Sequence, residues 1–214
     1  MPQKGTGMTS PFLAYVYRLQ YIQRWSLMRN THPENVAEHS FHVAVLAHAL
    51  CTIARTVYGR DVPTADVVMA ALFHDAAEVL TGDIPTPVKH HNADILRHFR
   101  EIEHEAAAQL TAMVPAALRP AYAPWLTTSP EAVQTWVKAA DRLDAYLKCS
   151  FEVMAGNREF VVAKEQCGAA LAAMNMPEVA YFLDTFAGAF EQTLDEISAA
   201  RQADMPRDCG ARLP

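Results

Sequence analysis

Apolar residues recur at three- and four-residue intervals along most of the chain, and period-two alternation is almost absent, so the pattern predicts helices throughout. Ser10-Pro11 offers an N-cap and a first-turn proline to a helix running toward Gln23. A loop containing Arg24-Trp25 and Thr31-His32-Pro33 follows. The next helix is expected over about residues 34–58, apolar along one side, with Gly59 as its stop. Thr64 can cap a third helix, which carries His74-Asp75 and ends near Gly82. Asp83-Ile-Pro-Thr-Pro-Val-Lys89 cannot continue it, because each proline restricts both itself and its predecessor. Residues 92–114 read as a long amphipathic helix with Glu and His on its wet side. A proline-rich connection leads to Ser129-Pro130-Glu131, the start of a helix reaching Ala155 before Gly156. Helices over about 158–174 and 177–200 close the domain, and the tail from Arg201 is expected to fray. No internal repeat or low-complexity tract is present, and the predicted fold class is all-α, an irregular helical bundle.

The third helix contains the chemistry that this pattern does not explain. His74-Asp75 sits inside Met69-Ala-Ala-Leu-Phe-His-Asp-Ala-Ala-Glu-Val-Leu80, where an imidazole and a carboxylate are costly to bury unless something neutralises or ligates them. Glu78 lies four residues after His74 and three after Asp75, on the same broad helical face. His39 is flanked at helical spacing by Val36, Val43, Leu46 and Leu50; Asp141 is flanked by Val137 and Ala145. His42 and His48 read as bystanders, and Asp144 as an exposed partner for Lys148. Each polar group, taken alone, is more often one that has simply found a partner in a core. Together, His39, His74, Asp75 and Asp141 make a mixed nitrogen/oxygen set suited to a divalent first-row metal.

Composition narrows the picture. With 214 residues and 51% hydrophobic content, one domain with a sizeable core is expected to span residues 1–214. The net charge of −6 and the mixing of acids and bases argue against broad nucleic-acid or anionic-membrane binding. An anionic small molecule would need locally placed Arg, Lys or metal. Cys51, Cys149, Cys167 and Cys209 form no C-x-x-C pair and read as thiols in a reducing compartment. The first residues lack the apolar core of a signal peptide, and no stretch approaches roughly 18 uninterrupted apolar residues, so a cytoplasmic protein is expected.

The order His39, then His74-Asp75, then Asp141 resembles the H…HD…D signature of the HD-domain metal-dependent phosphohydrolases. Longer segments sharpen the resemblance: Arg24-Trp-Ser-Leu-Met-Arg-Asn30, Glu34-Asn-Val-Ala-Glu-His39, His74-Asp-Ala-Ala-Glu-Val-Leu-Thr-Gly-Asp-Ile-Pro-Thr-Pro-Val-Lys89 and Ala145-Tyr-Leu-Lys-Cys149 are similar to the bacterial 5'-deoxynucleotidases of that family. The likeness covers roughly residues 10–198. It implies an HD-type helical bundle that removes phosphate from 2'-deoxyribonucleoside 5'-monophosphates as a homodimer. One divalent cation per subunit, Co2+ or Mn2+, is implied, held by His39, His74, Asp75 and Asp141. Arg24, Trp25 and the loop Asp83-Ile84-Pro85-Thr86 match substrate-contacting segments, and Glu78 matches the catalytic carboxylate.

The chemistry agrees with those assignments. Phosphate monoesters hydrolyse very slowly unaided, so a site must neutralise charge and generate a nucleophile. Arg24 offers a planar fork matched to phosphate oxygens. Trp25 can pack on a deoxyribose or anchor its own loop. Glu78 can take a proton from the attacking water, and Asp83 can protonate or position the leaving 5'-oxygen; which is acid and which is base stays open. The alternatives are an HD hydrolase for triphosphates, cyclic nucleotides or alarmones, and a non-catalytic nucleotide-sensing module.

Overall fold

The structure, a computed structural model, describes residues 9–127 and 129–204; of the tail expected to fray from Arg201, residues 201–204 continue the last helix, while 205–214, Cys209 among them, lie outside the described residues. Ser10 ties the start of the chain down: its hydroxyl donates to the Met113 carbonyl at 2.7 Å and accepts from the Phe12 amide at 3.3 Å. Helix α1 (Phe12–Val16) then passes into a 3₁₀ segment, Tyr17–Tyr21, where one longer helix was expected. Only Phe12 and Leu19 are buried across this stretch, too thin an apolar stripe to hold a regular helix on the core.

An isolated antiparallel bridge joins Gln23 to Asn35. The Arg24 amide donates to the Glu34 carbonyl at 2.9 Å and the Val36 amide to the Ile22 carbonyl at 3.0 Å, closing the intervening residues into a loop. Helix α2 (Val36–Thr56) begins with a capping box: the Asn35 side chain accepts from the Glu38 amide at 3.0 Å while Glu38 accepts from the Asn35 amide at 3.3 Å. Among the described residues α2 is the one helix long and apolar enough to cross a membrane, but 56% of its most apolar stretch is buried inside the fold. It is the central core helix. Ala47 and Ala54 are fully buried and let α3 (Thr64–Phe73) approach closely. Thr64 opens α3 as its first helical residue and bonds back to the Val62 carbonyl; it does not cap.

Short helices α4 (Glu78–Thr81) and α5 (Thr86–Lys89) flank a corner where Gly82 takes φ +74, a conformation that disfavours a side chain. Helix α6 (Ala93–Met113) is capped by Asn92, whose side chain accepts from the Ile95 amide at 2.8 Å. The proline-rich connection holds a helix that the sequence does not announce, α7 (Arg119–Leu126); Pro120 falls in its first turn, where its missing N–H would be free anyway.

Helix α8 (Glu131–Met154) follows, then a 3₁₀ turn at Arg158–Phe160, α9 (Val161–Ala172) and α10 (Pro177–Thr185). The single closing helix expected over 177–200 is broken. The chain turns through Ala187–Glu191, bringing Phe190 within 6.3 Å of Phe182 and 5.9 Å of Phe151, ring centre to ring centre. It restarts as α11 (Leu194–Asp204), where Thr193 and Glu196 exchange amide bonds. The main core packs α2, α3, α8 and α10 around Val43, Leu50, Val67, Leu143 and Phe182. A smaller cluster, Phe12, Ala76, Leu110, Val114 and Leu126, sits beneath α1, α6 and α7. Residues 74–77 run from one cluster to the other.

Candidate metal centre

Helix α2 delivers His39 into the interior with no exposure to solvent. Its Nδ1 donates to Asp144 Oδ2 at 2.7 Å, which leaves Nε2 to face Asp141 Oδ1 at 3.3 Å and Asp75 Oδ2 at 3.4 Å. His74 is set by a different device. Its Nδ1 donates to the Ala71 carbonyl at 2.7 Å, the acceptor that a continuing helix would offer to the amide of residue 75. Helix α3 therefore stops at Phe73 instead of running to Gly82. The following amides step back three residues: Ala76 to Phe73, Glu78 to Asp75 and Leu80 to Ala77, each at 3.0 Å. This tighter winding turns His74 Nε2 to within 3.1 Å of Asp75 Oδ2 and stacks Glu78 above Asp75.

Both Nε2 atoms are buried and neither has a hydrogen-bond partner. Ligand atoms of His39, His74 and Asp141 lie within 4.8 Å of one another. Donors about 2.1 Å from a common ion stand about 3.0 Å apart at right angles and about 3.4 Å apart in a tetrahedron. The nitrogen–oxygen separations of 3.1–3.4 Å fall in that interval, so His39, His74 and Asp141 fit a divalent cation between them, with Asp75 set against both imidazoles. The electrostatics ask for positive charge as well. Burial opposes charging His39, yet Asp141, Asp144 and Asp75 raise its pKa well above the ordinary imidazole value. Burial likewise opposes ionising Asp75, and His74 and His39 outweigh it, holding the carboxyl well below the usual range.

The remaining predicted residues lie around this cluster. Arg24 is nearly buried; its Nη1 stands 3.5 Å from Glu34 Oε2 and 3.9 Å from Asp144 Oδ2, with no hydrogen-bond partner. Trp25 takes a left-handed backbone, φ +57, packs its ring 5.5 Å from Phe160 and donates from Nε1 to Glu34 at 3.1 Å. Glu78 Oε2 is buried and unpartnered, and burial, then Asp75 and Asp83, push its pKa up to about 9. Burial raises Asp83 too, against the pull of Arg24. Ile84 and Pro85 are half-buried on the corner after α4, while Thr86 is exposed at the start of α5.

Two participants are not singled out by the sequence reading. Asp144 is not an exposed partner of Lys148; it is buried and bonded to His39. Lys148 instead pairs with Glu152, also buried. Glu152 accepts from the Thr31 amide at 2.9 Å, the Thr31 hydroxyl at 2.6 Å, the His32 amide at 3.1 Å and the Asn157 side chain at 2.8 Å, so it anchors the far side of the loop that carries Arg24 and Trp25. Asp141, Asp144, Lys148 and Glu152 follow one another at steps of three, four and four residues, a single charged stripe along α8. Such a stripe on a largely buried helix is the signal that could have found Asp144. The second, Glu34, is buried one residue ahead of the α2 cap. His42, read as a bystander, is exposed with Nδ1 3.6 Å from Asp144.

Comparison with known proteins agrees with this arrangement. Residues 11–190 match the family model described as 5'-deoxynucleotidase YfbR-like. A 5'-deoxynucleotidase of Vibrio parahaemolyticus is 45% identical over 191 residues, covering 88% of this chain and 98% of the relative. The 5'-deoxynucleotidase YfbR of Shigella dysenteriae is 46% identical over 191 residues, 88% of this chain and 96% of its own. Among solved structures, an HD-domain phosphohydrolase of Listeria innocua superposes with a TM-score of 0.72 at 22% identity, over 91% of this chain and 98% of that one. A cyanophage S-2L HD phosphohydrolase, bound to dA and one catalytic Zn2+ ion, gives 0.59 at 21% identity over 82% and 96%. The fold is thus that of the HD-domain phosphohydrolases, and the chain belongs to the YfbR-like 5'-deoxynucleotidase family.

Proposed function

We propose that the protein is a metal-dependent 5'-deoxynucleotidase, which uses water to convert a 2'-deoxyribonucleoside 5'-monophosphate into the deoxyribonucleoside and phosphate. The observation that carries this reading is Arg24: a nearly buried guanidinium with an unpartnered Nη1, beside the metal-type cluster and in a member of this family. His39, His74, Asp75 and Asp141 hold the cation, Co2+ or Mn2+. When bound, it neutralises phosphate charge and lowers the pKa of a water. Arg24 grips two phosphate oxygens through its planar fork. Glu78 and Asp83, whose protons burial retains into the neutral range or draws upward, divide between them the proton of the attacking water and that of the leaving 5'-oxygen. Trp25 stands against the sugar, and Ile84, Pro85 and Thr86 border the nucleoside.

The same reading makes the protein a cytoplasmic homodimer acting on a small molecule, with neither nucleic acid nor membrane as partner. Supporting it are the net charge of −6, the free thiols Cys51, Cys149 and Cys167, and the exposed Tyr17, Tyr21, Leu27 and Phe41. The deciding experiment is a panel of dAMP, dGMP, AMP, dATP and a cyclic nucleotide, assayed for phosphate release after chelation and after adding Co2+ or Mn2+. Release from the deoxymonophosphates alone, dependent on added metal, is expected; equal rates on dAMP and AMP remove the deoxy preference. Glu78→Ala should still bind dAMP while losing turnover.

A further inference from the structure

Glu34 takes no part in the steps above, yet its one oxygen meets two consecutive side chains of the substrate face. It is 6% exposed. Oε2 accepts the indole N–H of Trp25 at 3.1 Å and stands 3.5 Å from Arg24 Nη1, while the Glu34 carbonyl accepts the Arg24 amide at 2.9 Å. The indole has a single polar atom, so this bond fixes the ring's rotation about its long axis. Trp25 also sits at φ +57, a conformation a bulky residue keeps only where its surroundings over-determine it. Phe160, itself fully buried and 5.5 Å from the indole, supplies the other wall.

We propose that Glu34 is the positioning residue for substrate choice: its carboxylate locks the Trp25 indole and aims Arg24, so discrimination between deoxyribose and ribose is set by a group that itself touches no substrate. This rests on the reading of Trp25 as facing the sugar. Reach and charge make separate contributions. A carboxylate one methylene shorter keeps the charge opposite Arg24 but withdraws from the indole; an amide of the same length keeps an acceptor for the indole but loses the charge.

The test compares Glu34→Asp, Glu34→Gln, Trp25→Phe and the Glu34→Asp/Trp25→Phe double variant, assaying kcat/KM on dAMP and AMP with saturating Mn2+. Glu34→Asp should lower the dAMP:AMP ratio about tenfold, the scale of one hydrogen bond to a charged group. Glu34→Gln should lower kcat/KM on both substrates by about tenfold and hold the ratio within about twofold. In the Trp25→Phe background Glu34→Asp should change the ratio no further. In metal-free, 15N-tryptophan-labelled protein, the indole resonance that Trp25→Phe removes should move in Glu34→Asp, a change that general loosening of the fold would not confine to one indole. If Trp25→Phe lowers the ratio while Glu34→Asp leaves it intact, the proposal is overturned and the sugar-facing role of Trp25 stands. If Trp25→Phe leaves the ratio intact, both fall.

Discussion

His39 donates its Nδ1 proton to Asp144 at 2.7 Å, and that bond decides which ring nitrogen faces the candidate metal centre. A carboxylate behind an imidazole orients the ring and raises its basicity as a ligand. Asp144→Ala should therefore weaken metal affinity about 10–100-fold, read by calorimetric titration of chelator-treated protein with Mn2+. Asp144→Asn, which keeps an oxygen to accept the Nδ1 proton, should lose less. Equal affinity in the alanine variant and the parent would show that His39 needs no such brace.

Arg24 presents an unpartnered Nη1 beside two acidic neighbours. Replacing it with lysine keeps the charge and removes the planar fork. Arg24→Lys should lower kcat/KM for dAMP by about tenfold to a hundredfold, mostly through KM, while leaving Mn2+ affinity within about twofold. A variant that binds the substrate as well as the parent does would detach Arg24 from the phosphate.

Glu152 links acid stability to the loop. Burial would raise its pKa, but Lys148, Thr31 and Asn157 overcome this and hold the carboxyl below the ordinary glutamate value. A depressed carboxyl stabilises the fold fully above its unfolded pKa of about 4.3, and that contribution fades as pH falls toward the folded value. Thermal melts should thus show a steeper loss of Tm below about pH 4.3 in the parent than in Glu152→Gln. At pH 7 the variant should already be destabilised by about 3 kcal/mol, because Lys148 is left buried beside a neutral amide. Parallel acid limbs would assign the pH dependence elsewhere.

The periodic segments were legible: α2, α6 and α8 fall close to where apolar spacing puts them. What the sequence concealed were interruptions imposed by side chains or by local caps. Nothing in the run around His74 announces that its own ring takes the Ala71 carbonyl and ends α3 early. The run over 177–200 likewise hides the second start, where the Thr193 and Glu196 amides bond to each other's side chains. His39, His74, Asp75 and Asp141 stood out because each interrupts apolar text, and the structure brings them together. Asp144 was misplaced because its four-residue spacing to Lys148 looks like an ordinary surface pair. Its real partner lies 105 residues away, and Lys148 is drawn instead to Glu152.

The charged stripe along α8 works as a ruler. Asp141 at one end belongs to the cation cluster and Glu152 at the other pins the loop of Arg24 and Trp25, eleven residues or about 16 Å of rigid helix apart. Substitutions on the outer face leave that spacing alone. Adding or deleting one residue between them swings one end through about 100° relative to the other. Over this span the helix tolerates changes of letter far better than changes of length.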